Sequence, residues 1–242
     1  MDRFQQKVIV ALDFPTRDDT ARFLDLVGEH LRYVKIGHRL FSRYGPTILD
    51  ECADRGLQVF LDLKLYDIPS VVGDACRGIA EHDAVFLTTI HASGGTDMVY
   101  AAVEGSRRGR PDDPLKIVAV TALTSFQSRE LPHIGVGMSL SSWAARLADT
   151  ALTAGADGLV CSPRELHAFR DTYGSEPLLV TPGIRLDRVH IAGDDQHRVD
   201  TPARTLELGS SFLVIGRPIY QAPDPLAVID AVSRSLDPKG PS

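Results

Sequence analysis

Between Phe60 and Pro69 the chain reads FLDLKLYDIP, an apolar run that carries Asp62 and Lys64 and is closely followed by Asp67. Side chains two apart on a strand share a face, so Asp62 and Lys64 are predicted to project to the same side of a sheet. Asp67 comes after that strand should have ended, just before Ile68 and Pro69. Ionised groups on a buried strand are costly unless they are paired or used. A carboxylate beside an ammonium can stabilise a developing charge and deliver a proton. It can equally be an internal ion pair that holds a loop, and the stretch alone leaves both readings open.

Two further groups tilt the balance. Asp13 ends the apolar run VIVAL, and Lys35 lies within YVKIG. With Asp62 and Lys64 they make four ionisable groups of alternating sign at or near the ends of three successive runs, which predicts a shared site with Asp67 as a fifth member. Each lysine would be flanked by carboxylates, a setting that favours the charged form. Lys64 is therefore expected to be an ammonium and a proton donor, not a Schiff-base nucleophile, which needs a lowered pKa. His91, in HASGG, is expected to be a hydrogen-bonded structural residue. No HxH, HExxH or clustered Cys/His pattern suggests a metal, and nothing demands an organic cofactor, so none is expected.

Eight apolar runs must position these groups: VIVAL from Val8, YVKIG from Tyr33, VFLDLK from Val59, AVFLTTI from Ala84, KIVAV from Lys116, GLVC from Gly158, LLVTP from Leu178 and FLVIG from Phe212. They are continuous, not alternating, as parallel strands covered on both faces require. Helix signals separate them. Ser162-Pro163-Arg164-Glu165 reads as a capping box with proline at the first helical position, and Thr201-Pro202 opens another helix that Gly209 closes. Leu140, Trp143, Ala144, Leu147, Ala148 and Ala151 recur at helical spacing before Gly155, and Trp143 is read as core. Strand-then-helix alternation without GxGxxG after the first strand predicts an α/β fold, a single (β/α)8 TIM barrel over 1–236, with 237–242 a frayed tail.

The composition agrees. The 242 residues include 26 basic and 32 acidic side chains, for a net charge of −6 and no basic block, which argues against nucleic acid or an anionic membrane as partner. Cys52, Cys76 and Cys161 are an odd, scattered set read as reduced core thiols. The N-terminal apolar run is too short for a signal peptide or a membrane span, so the expected compartment is the cytoplasm.

Two long connections, Leu123 to Met138 and Gly183 to Asp200, read as binding loops or lids. The second holds Arg185 and Gln196, and the last strand runs into Gly216-Arg217-Pro218. Barrels frequently bind phosphate after strands seven and eight, where glycine admits backbone donors and arginine supplies charge.

In order along the chain, VALD, YVKIG, FLDLKLYDIP, HASGG, VTALTS, VTPGIR, AGDDQHRV and VIGRP are similar to motifs of the orotidine 5′-phosphate decarboxylase family, and the chain resembles that family over essentially its whole length. DxKxxD is shared with related phosphate-binding barrels, whereas DIP with the later TPGIR and IGRP elements is specific. The resemblance implies cofactor-free decarboxylation of orotidine 5′-monophosphate (OMP) to UMP. Lys64 would protonate C6, Asp62 would face the substrate carboxylate, and Lys35 and Asp13 would bind ribose. Asp67 would reach into a partner subunit's site, making a homodimer obligatory. Ile68 and Thr124 would line the substrate, Pro182 would lie against the pyrimidine, and Arg185, Gln196, Gly216 and Arg217 would surround the phosphate. One departure is visible. After DIP the family commonly has Asn-Thr, and this chain has Ser70-Val71, which removes a hydroxyl that meets the ribose.

Two other readings remain. One is a metal-dependent sugar-phosphate decarboxylase or synthase on the same barrel, although Lys35 stands where such enzymes carry an acidic ligand. The other is a non-catalytic UMP-binding barrel.

Overall fold

The structure is a computed structural model that describes residues 1–123, 125–184, 186 and 201–237. Every apolar run becomes a strand: β1 Val8–Ala11, β2 Tyr33–Gly37, β3 Gln58–Leu65, β4 Val85–His91, β5 Lys116–Val120, β6 Gly158–Val160, β7 Leu178–Pro182 and β8 Phe212–Ile215. Each pairs in parallel with its sequence neighbour and β8 returns to β1, closing a (β/α)8 barrel.

The continuity of the runs follows from burial on two faces. Val10, Val34, Ile36, Leu61, Ile117 and Ile215 point outward into the layer beneath the helices. Ile9, Phe60, Leu87, Val118, Val180 and Val214 fill the barrel. At the end where the strands begin, Tyr33, Phe86 and Phe212 close the interior, with ring centroids 4.7, 5.4 and 5.9 Å apart. Such tilted and edge-on contacts suit the ring quadrupoles.

The helix Pro69–Ala80 begins with proline in its first turn, and Thr96–Gly109 packs against it. A Cβ at Gly105 would overlap the Gly73 carbonyl, so the two backbones meet at a distance that only glycine permits. The helix Pro202–Glu207 is capped by the Thr201 hydroxyl and followed by Gly209, as predicted. Leu140–Thr153 buries Ala144, Leu147, Ala148 and Ala151, with Trp143 half-buried against Phe126.

Ser162–Glu165 corrects the sequence reading. The helix there is Leu166–Tyr173, and the four preceding residues form a turn. Glu165 does accept the Ser162 N–H, but the Ser162 hydroxyl donates to the same carboxylate at 2.7 Å. The Ser162 hydroxyl oxygen accepts no N–H of that helix: the Glu165 N–H instead turns back to the Ser162 carbonyl at 3.0 Å, and the helix starts after that turn with no side-chain cap.

A short helix absent from the sequence reading, Arg3–Lys7, precedes β1 and is capped by Asp2. Arg3 donates to the Leu236 carbonyl at 2.6 Å, tying it to the last helix, Pro225–Leu236. Of the tail expected at 237–242, only Asp237 is among the described residues. No helix among the described residues is long and apolar enough to cross a membrane.

Candidate active site

At the end where the strands finish, four charged groups stand in a row. Lys35 Nζ lies 3.2 Å from Asp13 Oδ1 and 3.6 Å from Asp62 Oδ2, and Lys64 Nζ donates to Asp62 Oδ1 at 2.7 Å. Strand register builds this order, because Lys35 pairs with Ala11 and Gly37 with Asp62. A Cβ at Gly37 would sit 3.2 Å from Lys35 Nζ, so the glycine leaves room for the ammonium. Asp62 is the centre of the row and its side chain is only 13% exposed. Burial works to raise its carboxyl, but Lys35, Lys64 and the Thr89 hydroxyl outweigh it and hold Asp62 below the ordinary carboxylate range.

Simple alternation does not account for the position of Lys64. On β3 Leu61 pairs with Thr88 and Leu65 with Ile90, so Asp62, Leu63 and Lys64 lie opposite Thr89 alone. The strand bulges, and Lys64 has φ +49°, the one positive value for a non-glycine among the described residues. Such a conformation costs on the order of 1–3 kcal/mol and persists only when its surroundings enforce it. The fully buried Thr89 supplies that enforcement. Its hydroxyl accepts the Lys64 N–H at 2.8 Å and donates to Asp62 Oδ1 at 3.0 Å.

The row borders an open cavity of about 410 Å³ that Arg217, Tyr220, His38 and Arg39 also line. Arg217 begins the short helix Arg217–Tyr220 and borders the cavity, whereas Gly216, the residue before that helix, is not among the lining residues. Arg39 donates to the Asp13 carbonyl at 3.0 Å. Burial first, and then the nearby Asp13, push the Tyr220 phenol above its ordinary value. Pro182 ends β7 beside Val214 and does not border this cavity.

Asp67 and Ile68 are not brought to this cavity in their own chain. Both are exposed, and the Asp67 carboxylate accepts the Ile68 N–H at 2.7 Å, just ahead of the helix Pro69–Ala80. Val71 is likewise exposed on that helix. Thr124, Arg185 and Gln196 lie outside the described residues.

His91 makes no side-chain hydrogen bond to a described residue. Its ring instead meets Tyr66 edge-on at 5.9 Å. Burial first, and then the charge of Lys64, hold its imidazole below the usual range and therefore neutral at pH 7. Among the described residues no group of three or more His, Cys, Asp or Glu side chains is disposed to hold a metal ion. The three cysteines are buried free thiols, which burial pushes up to about 12.

Reading the sequence missed Thr89, Arg39 and Tyr220. Arg39 had a signal, a charge placed just after a strand end. Thr89 had none, because a threonine in AVFLTTI is an ordinary strand former.

The model of the orotidine 5′-phosphate decarboxylase / HUMPS family matches residues 6–232. A protein named orotidine 5′-phosphate decarboxylase from Pseudoalteromonas atlantica is 40% identical over 230 residues, covering 95% of this chain and 98% of that one. One of the same name from Neisseria meningitidis is 43% identical over 229 residues, covering 94% and 91%. Among solved structures, orotidine 5′-phosphate decarboxylase from Lactobacillus acidophilus superposes with a TM-score of 0.84 at 34% identity, over 96% of this chain and 99% of that one.

Proposed function

The chain belongs to the orotidine 5′-phosphate decarboxylase / HUMPS family, and we propose that its reaction is the decarboxylation of OMP to UMP and CO₂, the last step of de novo pyrimidine nucleotide synthesis. The observation that carries the mechanism is the largely buried Asp62 between two ammonium groups at the edge of the cavity.

Loss of CO₂ from C6 of orotate leaves an electron pair in the ring plane, where the π system cannot take it up. The reading therefore needs a fixed cation aimed at that pair. Lys64 fills the role, with its 2.7 Å contact to Asp62 holding the ammonium in the row. Asp62 faces the substrate carboxylate and disfavours it, a repulsion that CO₂ release relieves. Lys64 then gives a proton to C6. Lys35 and Asp13 bind the ribose hydroxyls, and Arg217 with the Gly216 backbone takes the phosphate, helped by Arg185 and Gln196. Thr124 meets the pyrimidine edge, and a ring reaching from the cavity past the end of β7 would meet Pro182.

One preorganised donor is worth about 3–4 kcal/mol, against the roughly 8–23 kcal/mol that enzymes supply. The remainder comes from the phosphate and ribose contacts, which hold the reacting carboxylate against Asp62. No cofactor takes part in this scheme.

The active unit we propose is a homodimer in which Asp67 and Ile68 enter the partner copy's site. Support comes from Tyr66, Ile68, Val71 and Tyr100, large side chains about half exposed or more, on or just ahead of the two glycine-packed helices. Asp67 lies among them and outside its own cavity. The buried thiols fit a reducing cytoplasm.

Loss of the orotidylate ultraviolet absorbance in a chelator, with nothing added, tests the reaction. A rate that requires a divalent ion would favour the sugar-phosphate chemistry of the same barrel, and UMP binding without any loss of absorbance would leave only a nucleotide-binding protein. The shared site has its own test. Inactive Lys64→Ala and Asp67→Ala chains, mixed and shown to form hybrid dimers, should recover part of the activity because one hybrid site has both groups intact. No recovery would reject it.

A further inference from the structure

Thr88 and Thr89 are adjacent, fully buried and on the same strand, yet their hydroxyls have different duties. Thr88 Oγ1 donates to the Leu61 carbonyl at 2.8 Å and so completes the ladder between β3 and β4. Thr89 Oγ1 spans the bulge. It accepts the N–H of Lys64 and donates to the carboxylate of Asp62, whose same Oδ1 receives the Lys64 ammonium. One oxygen thus touches both the main chain of the ammonium-bearing residue and the side chain of the carboxylate it pairs with. Without it, the Lys64 N–H would lose its only partner among the described residues. The carboxylate, pulled by Lys35 on one oxygen and Lys64 on the other, would lose the neutral donor that fixes its plane.

We infer that Thr89 is a positioning residue for the decarboxylation, its single hydroxyl holding the bulge that sets Lys64 and Asp62 at a fixed separation and angle. The inference rests on the reading of Lys64 as proton donor. Thr89 does not border the cavity and touches no substrate, so its effect is on the turnover step and not on nucleotide affinity. Hydroxyl chemistry is what the position needs. Valine has the same shape with neither donor nor acceptor, whereas serine keeps both.

The test is kcat for OMP and Kd for UMP, measured on Thr89→Val, Thr89→Ser and Thr88→Val. Thr89→Val should lose about 100-fold in kcat, the scale of a small misplacement of a reacting group. Its UMP affinity should change by no more than about twofold, and Thr89→Ser should return kcat to within about twofold of the parent. Thr88→Val, which removes an equally buried hydroxyl, should leave kcat unchanged while lowering Tm. Should Thr89→Val not fold, Thr89→Ala takes its place with the same expectation. Parental kcat in the Val or Ala variant, a loss that Ser does not restore, or an equal kcat loss in Thr88→Val would overturn the inference. Lys64→Ala in the same assay separates the two claims. Near-parental turnover there would sink the assignment of Lys64, whereas an inactive Lys64→Ala beside a fully active Thr89→Val would sink the role of Thr89 alone.

Discussion

The two ends of the barrel interior are built from the same strands by opposite means. On β2, Tyr33 and Lys35 are two residues apart and share the inward face, yet one joins the aromatic plug and the other the charged row. The plug depends on area and shape, which are non-directional and spread over many atoms. The row depends on a few hydrogen bonds and charges, each of which leaves an unpaired partner when removed. Stability and chemistry are therefore segregated along the strands, with the plug securing the barrel and the strained bulge placed at the mouth.

The sharpest way to break this division is Lys64→Ala. Removing both the aimed cation and the proton donor should lower kcat on the order of 10⁴-fold or more, combining the usual worth of each. UMP binding by calorimetry should survive, and Tm should fall by less than on loss of a plug ring, because Asp62 keeps Lys35 and Thr89 as partners. A large drop in Tm would mean that the mouth also secures the fold. The reciprocal experiment is Phe212→Ala, expected to cost about 3–5 kcal/mol in denaturant unfolding while kcat per folded molecule is kept. Lost turnover in folded protein would join the two ends again.

The smallest effect concerns acid. Because Asp62 is held below the ordinary carboxylate range, the folded state binds its proton less readily than the unfolded chain. Its contribution to stability is thus present above the unfolded value of about 3.9 and fades as pH falls through the lower folded value. Melting curves of the parent and Asp62→Asn should differ most near neutral pH and converge in acid. A gap that widens in acid would reverse the sign.

Much of this was legible from residue order. The eight continuous apolar runs required burial on both faces, and consecutive parallel pairing followed. Asp13, Lys35, Asp62 and Lys64 were legible because ionised groups on such runs need partners. The Ser162–Glu165 motif misled because the same four residues can close as a turn, the Glu165 N–H on the Ser162 carbonyl, before the helix begins. The edge-on contact of His91 with Tyr66 was not legible, because it joins the ends of two strands and local sequence does not encode it.

What the linear chain settled was which groups had to be charged, which segments had to be buried and in what order they alternate, since these depend on local chemistry and periodicity. Only tertiary structure decided that β3 bulges, that Lys64 takes a left-handed conformation, and that a threonine 25 residues away holds it. Those outcomes depend on how many residues one strand spends opposite another, and that count exists only after the strands have paired.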